Sequence, residues 1–165
     1  MLWLGYELYI IETENKFNLV MKVSSLFLAI LISTNLSAEL KSKLDRQIEE
    51  IMPKVIEWRH DIHQYPELGN REFRTSKKIE EHLVSLGIEV ETKIAYTGLV
   101  GLIKGGKPGP TIALRADMDA LPVEEKTGLP FASKVRTTYL GNDVGVMHAC
   151  GHDAHVAILM GVAEF

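Results

Sequence analysis

The sequence predicts an α/β fold, and three observations predict it. Apolar residues recur at three- and four-residue spacing from Leu40 to Leu86, as in helices with one buried face. From Ile88 to Ala116 the period changes to alternation and short apolar runs, the pattern of strands. After Asp153 a largely apolar helical pattern resumes and reaches Phe165 without a glycine, proline or basic stop. Helices flanking strands, with no completed sheet, describe the first part of a larger layered domain, here truncated.

The first helix begins at Glu39 and sets Leu40, Leu44, Ile48 and Ile51 on one face. Pro53 lacks an amide hydrogen, so it kinks this helix or opens a second one. Val55, Ile56, Arg59, Ile62 and His63 continue the period until Pro66. A further helix from Arg71 to Leu86 turns Phe73, Ile79, Leu83 and Leu86 inward. It stops at Gly87, where glycine takes the left-handed conformation without steric cost. Ile88–Glu91 alternates as a strand. Leu99–Ile103 and Thr111–Ala116 are apolar strands on either side of the glycine- and proline-rich Lys104–Pro110, which predicts a hairpin. Leu121–Met147 has little period and many turn residues, and a loop that long is functional or disordered. Asp153 is a suitable N-cap for the last helix.

The N-terminus carries an address. Met21–Ala38 has an early lysine, an apolar stretch from Leu26 to Ile32 and a small-residue end, Ser37-Ala38. That is the layout of a secretory signal peptide cleaved after Ala38, implying export to the periplasm or the exterior. The apolar stretch falls short of the roughly 20 residues a stable membrane span needs. An uncleaved membrane anchor is the alternative. Residues 1–20 place Glu7, Glu12 and Glu14 where a basic segment is expected, as in a misassigned extension ahead of a true start at Met21. The organisation is therefore extension 1–20, signal peptide 21–38 and folded domain 39–165.

Composition bounds the function. The 165 residues include 22 acidic and 18 basic ones, for a net charge of −4. Without a basic run or basic-aromatic stripe, nucleic acid is excluded as a partner. A single cysteine, Cys150, excludes an internal disulfide framework and a c-type haem motif.

Three segments carry chemistry. In Met147-His148-Ala149-Cys150-Gly151-His152-Asp153-Ala154-His155, a thiolate and an imidazole suit zinc and similar borderline metals. Gly151 lets the backbone turn tightly enough to aim Cys150 and His152 at one point. Asp153 either caps the following helix or orients an imidazole. The same residues also fit a buried cysteine in a polar loop, or a Cys150-dependent thiol hydrolase. Two residues apart is poor geometry for the latter, since nucleophile and base converge from distant positions. In Arg115-Ala116-Asp117-Met118-Asp119-Ala120-Leu121-Pro122, two carboxylates at a strand end invite a metal or a cation. Taken alone, the segment fits better an ordinary ion pair of Arg115 with one of them. Trp58–Gly69 is a helix end and turn, in which His63 is a packed, hydrogen-bonded histidine.

In this order, Arg59-His60-Asp61-Ile62-His63 with Pro66-Glu67-Leu68-Gly69, then Arg115–Pro122, then Met147–Asp153, closely resemble the metal-dependent amidohydrolases. That group includes hippurate hydrolase and the plant auxin-conjugate hydrolases, relatives of aminoacylase and carboxypeptidase G. The resemblance runs from Leu40 to Phe165 and includes Thr97–Gly101 and Thr127–Ser133. It implies the N-terminal part of a three-layer α/β/α catalytic domain of zinc-exopeptidase type, with a smaller domain that closes the site and dimerises. It also implies two divalent ions per complete site (Zn, Mn, Co or Ni) and N-acyl amino acids or short peptides as substrates. Cys150 and His152 match the first two metal ligands. Asp117 matches the active-site aspartate, with Asp119 a second candidate. The remaining ligands and the general-base glutamate are expected beyond Phe165, which makes this chain an inactive fragment of the enzyme. A non-catalytic metal-binding or interaction module is the alternative. Lys134–Val146 either shapes the pocket rim or is a neutral surface insertion.

Overall fold

The computed structural model describes residues 37–165. The extension 1–20 and all of the signal segment except Ser37 and Ala38 lie outside the described residues. The chain divides into two units, up to Glu49 and from Glu50 onward. In the first, residues 37–49 are helical, and Leu40, Leu44 and Ile48 are exposed rather than buried.

In the second unit α1 covers residues 50–64. The helical assignment runs unbroken through Pro53, which neither ends a helix nor opens one. Pro53 and Glu49 are both exposed, so water can serve the carbonyl that the missing amide leaves free. Ile62 is fully buried with Val156 and Met160, and Trp58, Ile79, Ala116 and Met118 pack around them. This cluster joins α1 to the helices that follow.

Helix α2 spans Phe73–Ser85. No side chain at its N-cap serves the first turn. Glu67 does so from outside the helix, its carboxylate accepting from the amides of Arg74 at 3.0 Å and Thr75 at 2.8 Å. The C-terminus closes as expected, Gly87 N–H donating to Val84 O at 2.9 Å and Ile88 N–H to Leu83 O at 3.1 Å. Ile79 faces inward, but Phe73 is 61% exposed and Leu86 39%. The fully buried position near the helix start is Thr75, whose hydroxyl also donates to Glu67.

The expected hairpin partner is corrected. β1 (Glu89–Ile94) pairs antiparallel with β2 (Gly98–Leu102), so the turn is Ala95-Tyr96-Thr97 and not Lys104–Pro110. Residues 111–116 lie in no strand, and Ile112 and Leu114 are 79% and 65% exposed. An apolar strand forms only against a neighbour that takes its hydrogen bonds, and none pairs with it among the described residues.

The long segment before the metal motif holds a second hairpin. β3 (Arg136–Tyr139) pairs antiparallel with β4 (Asn142–Gly145). Its two-residue turn, Leu140-Gly141, has φ of 49° and 80°, positive at both central positions as a type I′ turn requires. The last helix, α3, spans His152–Val162. Its N-cap is Gly151 at φ 83°, not Asp153, which lies in the first turn with its side chain buried. The architecture is mixed helix and strand, with two two-stranded sheets among the described residues. No helix among the described residues is long and apolar enough to cross a membrane.

Candidate metal centre

Short backbone links bring the three motif segments together. Ala120 N–H donates to Glu67 O at 2.8 Å within a parallel bridge between Leu68 and Ala120. Leu121 and Met147 exchange both backbone bonds at 3.0 Å in an antiparallel bridge. Leu68, Ala120 and Val146 are buried together, with Val135 against them. One apolar cluster thus pins the three segments in register one residue away from the polar groups that matter.

The two neighbouring carboxylates, Asp117 and Asp119, separate. Asp117 pairs with Arg115 in an exposed ion pair, the ordinary alternative to a cation site. Asp119 turns to the metal motif. His152 Nδ1 donates to the Asp119 backbone carbonyl at 2.9 Å and approaches Asp119 Oδ1 at 3.0 Å. A backbone carbonyl can only accept, so a ring proton sits on Nδ1, and in the neutral imidazole Nε2 is the nitrogen that carries the lone pair. Cys150 is an exposed free thiol two residues away, across the left-handed Gly151. His152 is largely buried, with a side-chain exposure of 20%.

His148 is 4% exposed, and neither ring nitrogen has a hydrogen-bond partner among the described residues. Burial pushes its pKa down to about 4, with the positive forms of His63 and His152 adding to the shift and Asp153 and Asp119 opposing it. A neutral imidazole with a free lone pair is the form a metal takes. These features fit a divalent ion: an oriented imidazole, a thiol two residues before it in the chain and an orphaned histidine two residues before that. Among the described residues no three histidine, cysteine or carboxylate side chains converge as a complete ligand set.

Behind this turn lies a network that sequence spacing did not reveal. His63 is 5% exposed. Its Nδ1 meets Asp153 Oδ2 at 2.9 Å and its Nε2 meets Glu125 Oε1 at 3.2 Å. Arg59 Nε donates to the same Asp153 oxygen at 3.3 Å. Burial raises the pKa of Glu125, but the Thr127 hydroxyl, the Ser133 amide and His63 outweigh it and leave a net lowering. Phe131 stacks on His60 at 3.7 Å between centroids and meets His63 edge-on at 5.5 Å. The expectation that His63 is packed and hydrogen-bonded holds. Of the two roles open to Asp153, it orients an imidazole, that of His63.

A cleft of about 230 Å³ opens beside Asp119, lined also by Gly69, Arg71, Pro122 and Tyr139. Arg71 donates to Thr138 O at 3.0 Å, tying β3 to the turn after Leu68. Tyr139 places the β3–β4 hairpin on the rim of this cleft.

Known proteins share this arrangement of segments. Residues 113–165 match the model of peptidase family M20/M25/M40. The matched segment holds Asp117, Asp119, Cys150 and His152. Thermostable carboxypeptidase 1 of Saccharolobus solfataricus is 53% identical over 126 residues, covering 76% of this chain and 30% of that protein. The N-acyl-L-amino acid amidohydrolase of Geobacillus stearothermophilus is 40% identical over 124 residues, covering 75% of this chain and 31% of that protein. A crystal structure of YxeP from Bacillus subtilis, a dinuclear metal-binding peptidase of the M20 family, matches with a TM-score of 0.61 at 45% identity. That match covers 70% of this chain and 30% of the YxeP chain. The chain described here thus spans about 30% of the length of these relatives.

Proposed function

We propose that this chain carries part of the metal centre of an amidohydrolase that cleaves the amide bond of N-acyl amino acids of the hippurate type. The observation that carries this reading is the hold of Asp119 on His152 Nδ1, two residues along the chain from the exposed Cys150 thiol. When bound, paired divalent ions such as zinc, manganese, cobalt or nickel lower the pKa of water from ~15.7 towards ~7 and polarise the amide carbonyl. The chain's own residues do the positioning. Asp119 holds the His152 ring, the left-handed Gly151 sets the turn between Cys150 and His152, and the cleft beside Asp119, lined also by Arg71 and Tyr139, is where we place the substrate. In the full-length enzyme the further ligands and the general-base glutamate come from downstream sequence, so the isolated chain binds metal without turning over substrate. Export through residues 21–38, a start at Met21 and a homo-oligomeric full-length form belong to the same reading.

Cobalt titration tests it. The chain with Co²⁺ should develop the ultraviolet thiolate-to-cobalt absorption, and Cys150→Ser should abolish that band while retaining helical circular dichroism. Absence of the band in the unsubstituted chain would overturn the metal assignment. Robust metal-dependent hydrolysis of hippurate by the chain alone would overturn the view that it lacks its general base.

A further inference from the structure

The structure assigns His63 a positioning role: through Asp153 it holds the Cys150–His152 turn in the geometry that receives the metal. This inference rests on the metal reading above and concerns a residue that touches neither the ion nor the substrate.

The geometry is specific. His63 sits on α1, Asp153 on the first turn of α3 and Glu125 in the segment after Pro122. His63 spans the two carboxylates with one ring nitrogen on each. The side chains of Asp153 and Glu125 are 2% and 0% exposed, so neither can exchange this partner for water without opening the core. Asp153 follows His152 directly, and Val156 and Met160, one and two turns further on, pack against Ile62, the neighbour of His63. The start of α3 is thus fixed to α1 by an apolar contact and, one residue from His152, by the His63–Asp153 bond. On the opposite side Asp119 fixes the His152 ring. The turn is held from two directions, and His63 supplies the one that controls where the helix begins. Arg59 adds a weaker hold on the same oxygen from the solvent side, where it is 47% exposed. Glu125 has two further donors, Thr127 Oγ1 and Ser133 N, so it keeps its own place whether or not His63 bonds it.

Two substitutions separate the halves of this bridge. Asparagine carries its amide nitrogen at the branch position of Nδ1, and glutamine carries it at the position of Nε2. His63→Asn keeps a donor for Asp153 and gives up Glu125, whereas His63→Gln keeps a donor for Glu125 and gives up Asp153. Partners behind metal ligands typically govern affinity about 10–100-fold. Co²⁺ affinity, read from the thiolate-to-cobalt band with circular dichroism and urea unfolding in parallel, should fall by about that factor in His63→Gln. It should stay within about threefold of the unsubstituted chain in His63→Asn. A purely structural histidine would destabilise both variants and leave the affinity of their folded fractions equal, and that result overturns the inference. Equal loss in both folded variants overturns it too. Should His63→Gln not fold, Arg59→Leu at the exposed end of the network takes its place, with a loss of about three- to tenfold expected. Unchanged affinity in Arg59→Leu then overturns the inference. If the unsubstituted chain gives no cobalt band, the metal reading fails first. If it gives the band and the variants do not differ, only the role of His63 fails.

Discussion

At the scale of single residues, polar groups in this chain divide by what water can still reach. Asp61 on α1 accepts from Arg74 at 2.7 Å and pairs with Lys78 at 2.9 Å, with 26% of its side chain exposed. Partial burial raises its pKa, but Lys78 and Arg74 outweigh that and leave it lowered. A carboxylate with a depressed folded pKa stabilises the fold above its unfolded pKa and loses that contribution as pH falls through the folded value. Asp61→Asn should therefore cost about 0.5–1 kcal/mol near neutral pH, as expected for a solvent-screened pair. The gap to the unsubstituted chain should close below about pH 4. Urea unfolding across that range checks it, and a gap that persisted in acid would trace to shape rather than charge. The site shows the same division in what sequence revealed. Cys150, Gly151 and His152 are adjacent, so a candidate turn could be named from the sequence, and Asp119 lies in a motif that the resemblance singled out. The His63–Asp153–Glu125 network was not, because 90 and 62 residues separate its bonded pairs and no local pattern links them.

At the scale of elements, helices were legible where their period met a stop signal. The end of α2 at Gly87 followed from sequence, while its start depends on Glu67, a cap reached from outside the usual positions. Strands were legible only in part, since a strand's identity rests on its partner. Thr111–Ala116 has the apolar run without a partner among the described residues, and Arg136–Tyr139 has the partner without the apolar run. The second hairpin also hides its turn. Leu140 holds φ 49° where asparagine or glycine is the usual choice, and it is 83% exposed, so no packing favours leucine there. A left-handed conformation costs an ordinary residue about 1–2 kcal/mol. Leu140→Asn creates the Asn-Gly sequence that type I′ turns prefer and should stabilise the chain by about 0.5–1 kcal/mol, less than the full strain because asparagine also pays part of it. The rise should appear in the urea midpoint with an unchanged slope. A lower midpoint would show that Leu140 makes a contact worth more than its strain.

At the scale of the whole chain, the exposed apolar surface sets behaviour in solution. Ile112 and Leu114 project from an unpaired segment at 79% and 65% exposure, while Ile103, Val100 and Leu102 on and after β2 are 66%, 52% and 49% exposed. Both hairpins are two-stranded, and an isolated two-stranded ribbon has little stability of its own in water. Unpaired backbone alongside exposed apolar side chains is the combination that draws chains together, through edge pairing as well as burial. The chain should therefore self-associate, with sedimentation velocity showing an average mass that climbs with protein concentration. Salt should not dissolve these species, because apolar burial is not screened as charge pairs are. Ile112→Lys combined with Leu114→Lys should shift the distribution towards monomer without loss of helical signal, since neither side chain contributes to the buried clusters around Ile62 and Leu68. Association that vanished in high salt, or that ignored both lysines, would place the contact on charged surface instead of this segment.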